Sequence, residues 1–213
     1  MAQAGSILQI RWSGSRRRRG HFGAVILGGC LALAAIGRPW VRDGGLADLL
    51  LGAVGWCCFA AGALLRVWAT IYIGGRKGKT LLTSGPYAAM RNPLYLGSFL
   101  IACSCALFVN SLLGFMGVLL TATAYILYVI PIEERRLLGR FGAEYETYCH
   151  RTPRFIPRWK LLSGANQHPV TVDVRALGLE ASRAVGWLMV PLLADVLSFL
   201  RDQPWWPHLI PLP

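Results

Sequence analysis

The chain has 213 residues, of which 54% are hydrophobic and only 15% charged, too apolar a balance for an ordinary soluble domain. A formal net charge of +12 would suit a nucleic-acid binder, yet Lys and Arg gather in short clusters between long apolar blocks, with no aromatic-interleaved basic groove, so membrane topology accounts for them better. The six cysteines fall mostly inside apolar blocks, where Cys acts as a small hydrophobe; neither zinc spacing nor a disulfide framework is visible, and the scattered His residues suggest no metal site.

In chain order, a polar arm over residues 1–20 carries five arginines. The apolar run 21–37 that follows lacks a clear small-residue cleavage site and reads as a retained first span. A link with Arg38 and Arg42 leads to a second run, 46–73, longer than the ~20 residues that cross a hydrocarbon core. Either this helix tilts or its end emerges at the interface, where Arg66 snorkels or lines a polar cavity. Residues 74–93 are basic and punctuated by Gly and Pro, and belong at the membrane surface. Two further runs, 94–109 and 112–132, flank Asn110 and Ser111, and no Asp, Glu, Lys, Arg or His occurs between Arg91 and Glu133. Helices joined by so short a polar turn form an antiparallel hairpin, which returns Glu133 to the membrane surface that carries Arg91.

Beyond the hairpin, residues 133–151 read as one amphipathic helix with Leu137, Leu138, Phe141, Tyr145 and Tyr148 near one face. Thr152 and Pro153 end it, and RFIPRW follows as an extended basic segment. A last apolar run, 184–200, is interrupted by Pro191 and Asp195, leaving open whether it spans, lies in the interface or packs on the bundle; the tail 204–213 supplies interfacial aromatics. Lys and Arg number five in the arm, five from Arg66 to Arg91 and seven from Arg135 to Lys160. The positive-inside bias puts the arm, the 74–93 segment and the post-hairpin helix in the cytoplasm. The expected fold class is therefore all-α, a polytopic integral membrane bundle of about five spans. Its parts are a basic arm (1–20), N-terminal membrane helices (21–80), a core (81–157) with a cytosolic pocket, and a C-terminal extension (158–213).

Four features converge on that cytosolic side. Gly85 and Pro86 make a turn before Tyr87; Arg91, Asn92 and Pro93 precede a helix start that bears Tyr95 and Gly97, where free backbone N–H groups favour carboxylates and phosphates. Glu133 and Glu134 form a carboxylate pair at the hairpin's exit. Tyr145 and Tyr148 sit three apart on the following helix, and Arg151 and Arg154 return in RTPRFIP.

In this order, GPY at 85–87, RNPLYLG at 91–97, EE at 133–134 and FGAEYETY at 141–148 resemble the isoprenylcysteine carboxyl methyltransferase family and the wider phospholipid methyltransferase group of membrane enzymes. The likeness runs over 81–157, and it departs at Asn92, where the family usually has His; Asn donates and accepts hydrogen bonds but cannot become cationic. The resemblance implies S-adenosylmethionine as cofactor and a membrane-embedded amphiphilic acceptor, an isoprenoid or lipid carboxylate of the prenylcysteine type above all. It implies Arg91 and Glu133 as catalytic residues; Gly85, Tyr87, Asn92, Tyr95, Gly97, Glu134, Tyr145 and Tyr148 around the cofactor; and Arg154 on the substrate. The lipid bilayer is the expected partner, and nucleic acid is not. Two alternatives stand beside it: a membrane reductase of the sterol-reductase type, holding NADPH, and a non-enzymatic membrane scaffold. No GxGxxG follows a strand, so a Rossmann-type cofactor site is not supported.

Overall fold

A computed structural model describes residues 39–41, 44–73, 80–162, 172–201 and 203–206. The arm, the expected first span at 21–37, the basic stretch 74–79 and the end of the tail lie outside the described residues. Among the described residues every regular element is helical. In chain order they are α1 (Leu46–Ile73), α2 (Pro86–Ala89), α3 (Pro93–Phe108), α4 (Leu112–Phe141), α5 (Ala143–Arg151), a 3-10 turn (Trp159–Leu162), α6 (Val174–Trp187) and α7 (Met189–Arg201).

Three stretches of these residues are long and apolar enough to cross a bilayer, namely α1, α4 and Val174–Leu197, and α3 is a shorter apolar helix. Leu49, Leu64, Leu119, Leu120, Leu193 and Phe199 all stand exposed on these helices, as lipid-facing side chains do. The protein is thus a helical integral membrane bundle.

Small residues set the tightest contact. Gly55, Phe59, Gly62, Ala69 and Thr70 are the buried face of α1 at helical spacing, and a Cβ built on Gly62 would lie 2.8 Å from the Gly97 carbonyl oxygen of α3. Backbones that approach this closely gain dispersion contacts that lipid tails cannot supply better, which is how helices associate in a bilayer.

The hairpin turn is tied down at the far end of the bundle. Asn110 adopts φ 50, a conformation Asn tolerates; its Nδ2 donates to the Val41 carbonyl at 2.7 Å and its Oδ1 accepts the Val41 N–H at 3.1 Å. Ser111 caps α4 by accepting the Gly114 N–H. From there α4 runs back beside α3, with a π turn at Tyr125–Val129 where the Ile130 N–H reaches the Tyr125 carbonyl. Pro131 accounts for the turn: it has no N–H for the Leu127 carbonyl, and its ring crowds that oxygen.

One expectation is corrected here. The fourth span does not stop at Ile132, and 133–151 is not one helix. The strong helix formers of EERRLLGRF carry α4 on to Phe141, and Gly142, at φ 54 and ψ −130, breaks the chain before α5. A Cβ at Gly142 would meet nothing within 4 Å, so Gly142→Ala isolates the backbone term, about 1–3 kcal/mol for an L-residue in so sparsely populated a region. We expect Gly142→Ala to lower the melting temperature of the detergent-solubilised protein. Gly139→Ala, in the interior of the same helix and also facing open space, should raise it, by about 0.5–1 kcal/mol.

Candidate functional site

Three segments build the site end of the bundle, at the start of α3. Gly85, at φ 57, packs against the Tyr72 ring and turns the chain into the short α2, whose residues are all buried. The returning segment after α5 is fastened along it by backbone bonds: Arg91 N–H to the Pro153 carbonyl at 2.8 Å, Asn92 N–H to that of Arg154 at 3.2 Å, and Arg158 N–H to that of Ala89 at 3.0 Å. The third segment is the last third of α4.

Between them lies a cavity of about 200 Å³ lined by Ile73, Thr80–Leu82, Tyr87, Arg91–Tyr95, Glu133, Glu134, Arg136, Leu137, Arg140, Phe141, Tyr145 and Tyr148. The hairpin therefore brings Arg91 and Glu133 to one hollow. Tyr95 donates its hydroxyl hydrogen to Glu133 Oε2 at 2.6 Å. Glu134 is held by the Arg154 fork, Nε at 3.1 Å and Nη2 at 2.5 Å, and by Arg91 Nη1 at 3.3 Å. That fork raises the Arg154 guanidinium above its ordinary range. Arg91 Nη1 also reaches Cys149 Sγ at 3.0 Å.

Two polar atoms in this wall are buried and unpartnered: the Tyr87 hydroxyl and Arg91 Nε. Burial pushes the Tyr87 phenol well above its ordinary range, and the Glu133 carboxylate pushes it further, against the opposing Arg66. Burial does the same to Tyr145 and, with Tyr145 and Tyr87 adding to it, to Tyr148. All three remain protonated donors at neutral pH; Tyr148 spends its hydrogen on the Tyr87 carbonyl at 2.7 Å, while Tyr87 has no acceptor. An unmade bond on a buried polar group costs about 1–3 kcal/mol, so a ligand that supplies an acceptor to both atoms recovers it.

Of the residues expected at the site, Tyr87, Arg91, Asn92, Tyr95, Glu133, Glu134, Tyr145 and Tyr148 line the cavity, whereas Gly85, Gly97 and Arg154 do not. Gly85 and Gly97 lie where backbone meets a neighbouring ring or helix. Arg154 borders a second hollow, with Cys149 and Glu146, and meets the first cavity's lining at Glu134. Arg151 is exposed. Sequence reasoning missed Arg136, Leu137, Arg140 and Phe141 as cavity residues, although their spacing of three, four, seven and eight from Glu133 is that of one helical face. Among the described residues no group of three or more His, Cys, Asp or Glu could hold a metal ion, and Cys57, Cys58, Cys103, Cys105 and Cys149 are free.

The family model for phospholipid methyltransferases matches residues 45–144, from α1 through the end of α4. The cobalt-zinc-cadmium resistance protein CzcN of Cupriavidus metallidurans is 31% identical over 75% of this chain and 73% of its own. The chain belongs to the phospholipid methyltransferase family. It is accordingly a membrane methyltransferase, which sets aside the reductase and scaffold alternatives. The nickel-cobalt-cadmium resistance protein NccN of Alcaligenes xylosoxydans xylosoxydans is 29% identical over 70% of this chain and 68% of its own. Methanethiol S-methyltransferase 2 of Bradyrhizobium diazoefficiens is 38% identical over 38% of this chain and 30% of its own. No solved structure matches the chain.

Proposed function

We propose that the protein transfers a methyl group from S-adenosylmethionine to a membrane-embedded amphiphilic acceptor, with residues 81–157 as the methyltransferase core. The observation that carries this reading is the pair of buried, unpartnered donors, Tyr87 O–H and Arg91 Nε–H, in a cavity whose carboxylates already have partners. Such a wall asks for an anionic group, and the methionine carboxylate of the cofactor meets that demand. The rings of Tyr95, Tyr145 and Tyr148 offer electron-rich faces of the kind that attract a sulfonium. The donor set therefore fits the cofactor.

When bound, S-adenosylmethionine supplies an electrophilic methyl group for in-line displacement. The chain's own contribution is positioning and exclusion of water. Arg91 and Tyr87 fix the carboxylate end. Glu133, oriented by the Tyr95 hydroxyl, accepts the proton from an acceptor amine, hydroxyl or thiol, and an acceptor already ionised as a carboxylate needs no base. Basic residues on both sides of the hairpin support a cytosolic cavity by the positive-inside bias.

The test is ligand linkage. S-adenosylhomocysteine at 100 times its Kd should stabilise the detergent-purified protein by about 2.7 kcal/mol, read as a rise in melting temperature, and NADPH should leave it unchanged. A shift with NADPH alone, or with neither compound, overturns the cofactor assignment.

A further inference from the structure

Arg66 sits in α1 inside the apolar bundle, and its guanidinium is bound from two sides. Nε donates to Glu180 Oε1 of α6 at 2.5 Å, with Glu180 only 5% exposed. Nη1 donates to Ser98 Oγ at 2.5 Å and to the Leu94 carbonyl at 3.4 Å, and Ser98 in turn donates to the same Leu94 carbonyl at 2.8 Å. The first turn of α3 is thus tied to one cation from outside the helix. Gly97 makes room for it, since a Cβ there would lie 2.6 Å from Arg66 Cγ. That same turn carries Tyr95, whose hydroxyl holds Glu133. Glu180 comes from beyond the region that the family model matches, so the C-terminal helices supply a component of this arrangement.

A buried ion pair is a weak source of net stability, because desolvation offsets most of the attraction, and ionisable side chains inside a membrane bundle mark function more often than adhesion. We propose that Glu180 and Arg66 form a positioning pair: Glu180 fixes the guanidinium, the guanidinium fixes the first turn of α3, and that turn sets the Tyr95–Glu133 hydrogen bond. The affinity readout below rests on the cofactor reading given above; the exchange readout does not.

The experiment uses the full chain in nanodiscs and S-adenosylhomocysteine as probe. The double variant Arg66→Leu, Glu180→Leu removes both charges together and so leaves neither buried alone; it should keep its melting temperature within a few degrees. Tyr95 and Glu133 line the same cavity as Tyr87 and Arg91, so its affinity for the probe should fall on the order of 10- to 100-fold, the scale of a remote misplacement of about 1 Å. Adding Tyr95→Phe should cost little more than the larger single loss, because both changes act on one hydrogen bond. Hydrogen exchange should quicken in peptide 92–100 and not in peptide 104–118. If the double variant does not fold, Glu180→Gln, which keeps the side chain's shape, carries the same comparisons. Wild-type affinity, losses that multiply with Tyr95→Phe, or exchange unchanged at 92–100 would overturn the proposal. If the wild-type chain fails to bind the probe, the cofactor reading falls and the exchange comparison alone decides the positioning pair.

Discussion

Arg91→Ala is expected to abolish methyl transfer and S-adenosylhomocysteine binding while leaving the protein folded and extractable. The two halves of that expectation have separate causes. Loss of function follows because Nε is buried in the cavity wall without a partner, and truncating one member of a buried, charged hydrogen-bonded pair costs about 2–5 kcal/mol, roughly 30-fold or more in affinity. Survival of the fold follows because Glu134 keeps the two bonds from Arg154 when Arg91 is removed, so no carboxylate is stranded. The backbone N–H of residue 91 also keeps its bond to Pro153. Arg151→Ala is the matching control: the side chain is exposed, and its loss should change stability and binding by less than about 0.5 kcal/mol. Transfer retained in Arg91→Ala would remove the guanidinium from the site.

The fold-back was legible because the chain between Arg91 and Glu133 holds no charge and only one polar break, and a two-residue turn leaves the second helix no choice but to return. Asn110 and Ser111 are the residues a turn needs, one for a positive φ and one for a cap. The extent of α4 was not legible in the same way. Glu133 and Glu134 look like the end of a span on hydropathy, yet nothing in EERRLLGRF interrupts helical hydrogen bonding until Gly142. For the same reason Arg136 and Arg140 read as topology signals, although the continuing helix turns them toward the cavity. Arg66 illustrates a harder case. Hydropathy left it either snorkelling at the interface or lining a polar cavity, its partner is 114 residues away, and no periodicity links two helices that far apart. Gly85 was legible as a turn glycine beside Pro86, whereas only the packing reveals the space that it and Gly97 clear.

Gly97→Leu is expected to prevent assembly of the bundle. A Cβ at 97 would lie 2.6 Å from Arg66 Cγ and 2.9 Å from the Gly62 carbonyl oxygen. The arginine stem can swing away, but the carbonyl belongs to a helix and cannot, so α1 and α3 must separate. Forcing extra methylenes into a packed contact costs about 1–3 kcal/mol where neighbours can yield, and more where the obstacle is backbone. The separation would also pull Leu94 and Ser98 off Arg66 Nη1, leaving Glu180 as the remaining partner of that guanidinium. The check is size-exclusion homogeneity and melting temperature in detergent, with Gly52→Leu as control, since a Cβ at Gly52 meets nothing within 4 Å. Gly97→Ala separates packing from ligand contact. If the glycine serves helix approach, the alanine variant melts lower with or without S-adenosylhomocysteine. If it serves the ligand alone, melting without ligand is unchanged and only the ligand-induced rise is lost. Its place between Arg66 and Gly62, away from the cavity lining, argues for the first outcome.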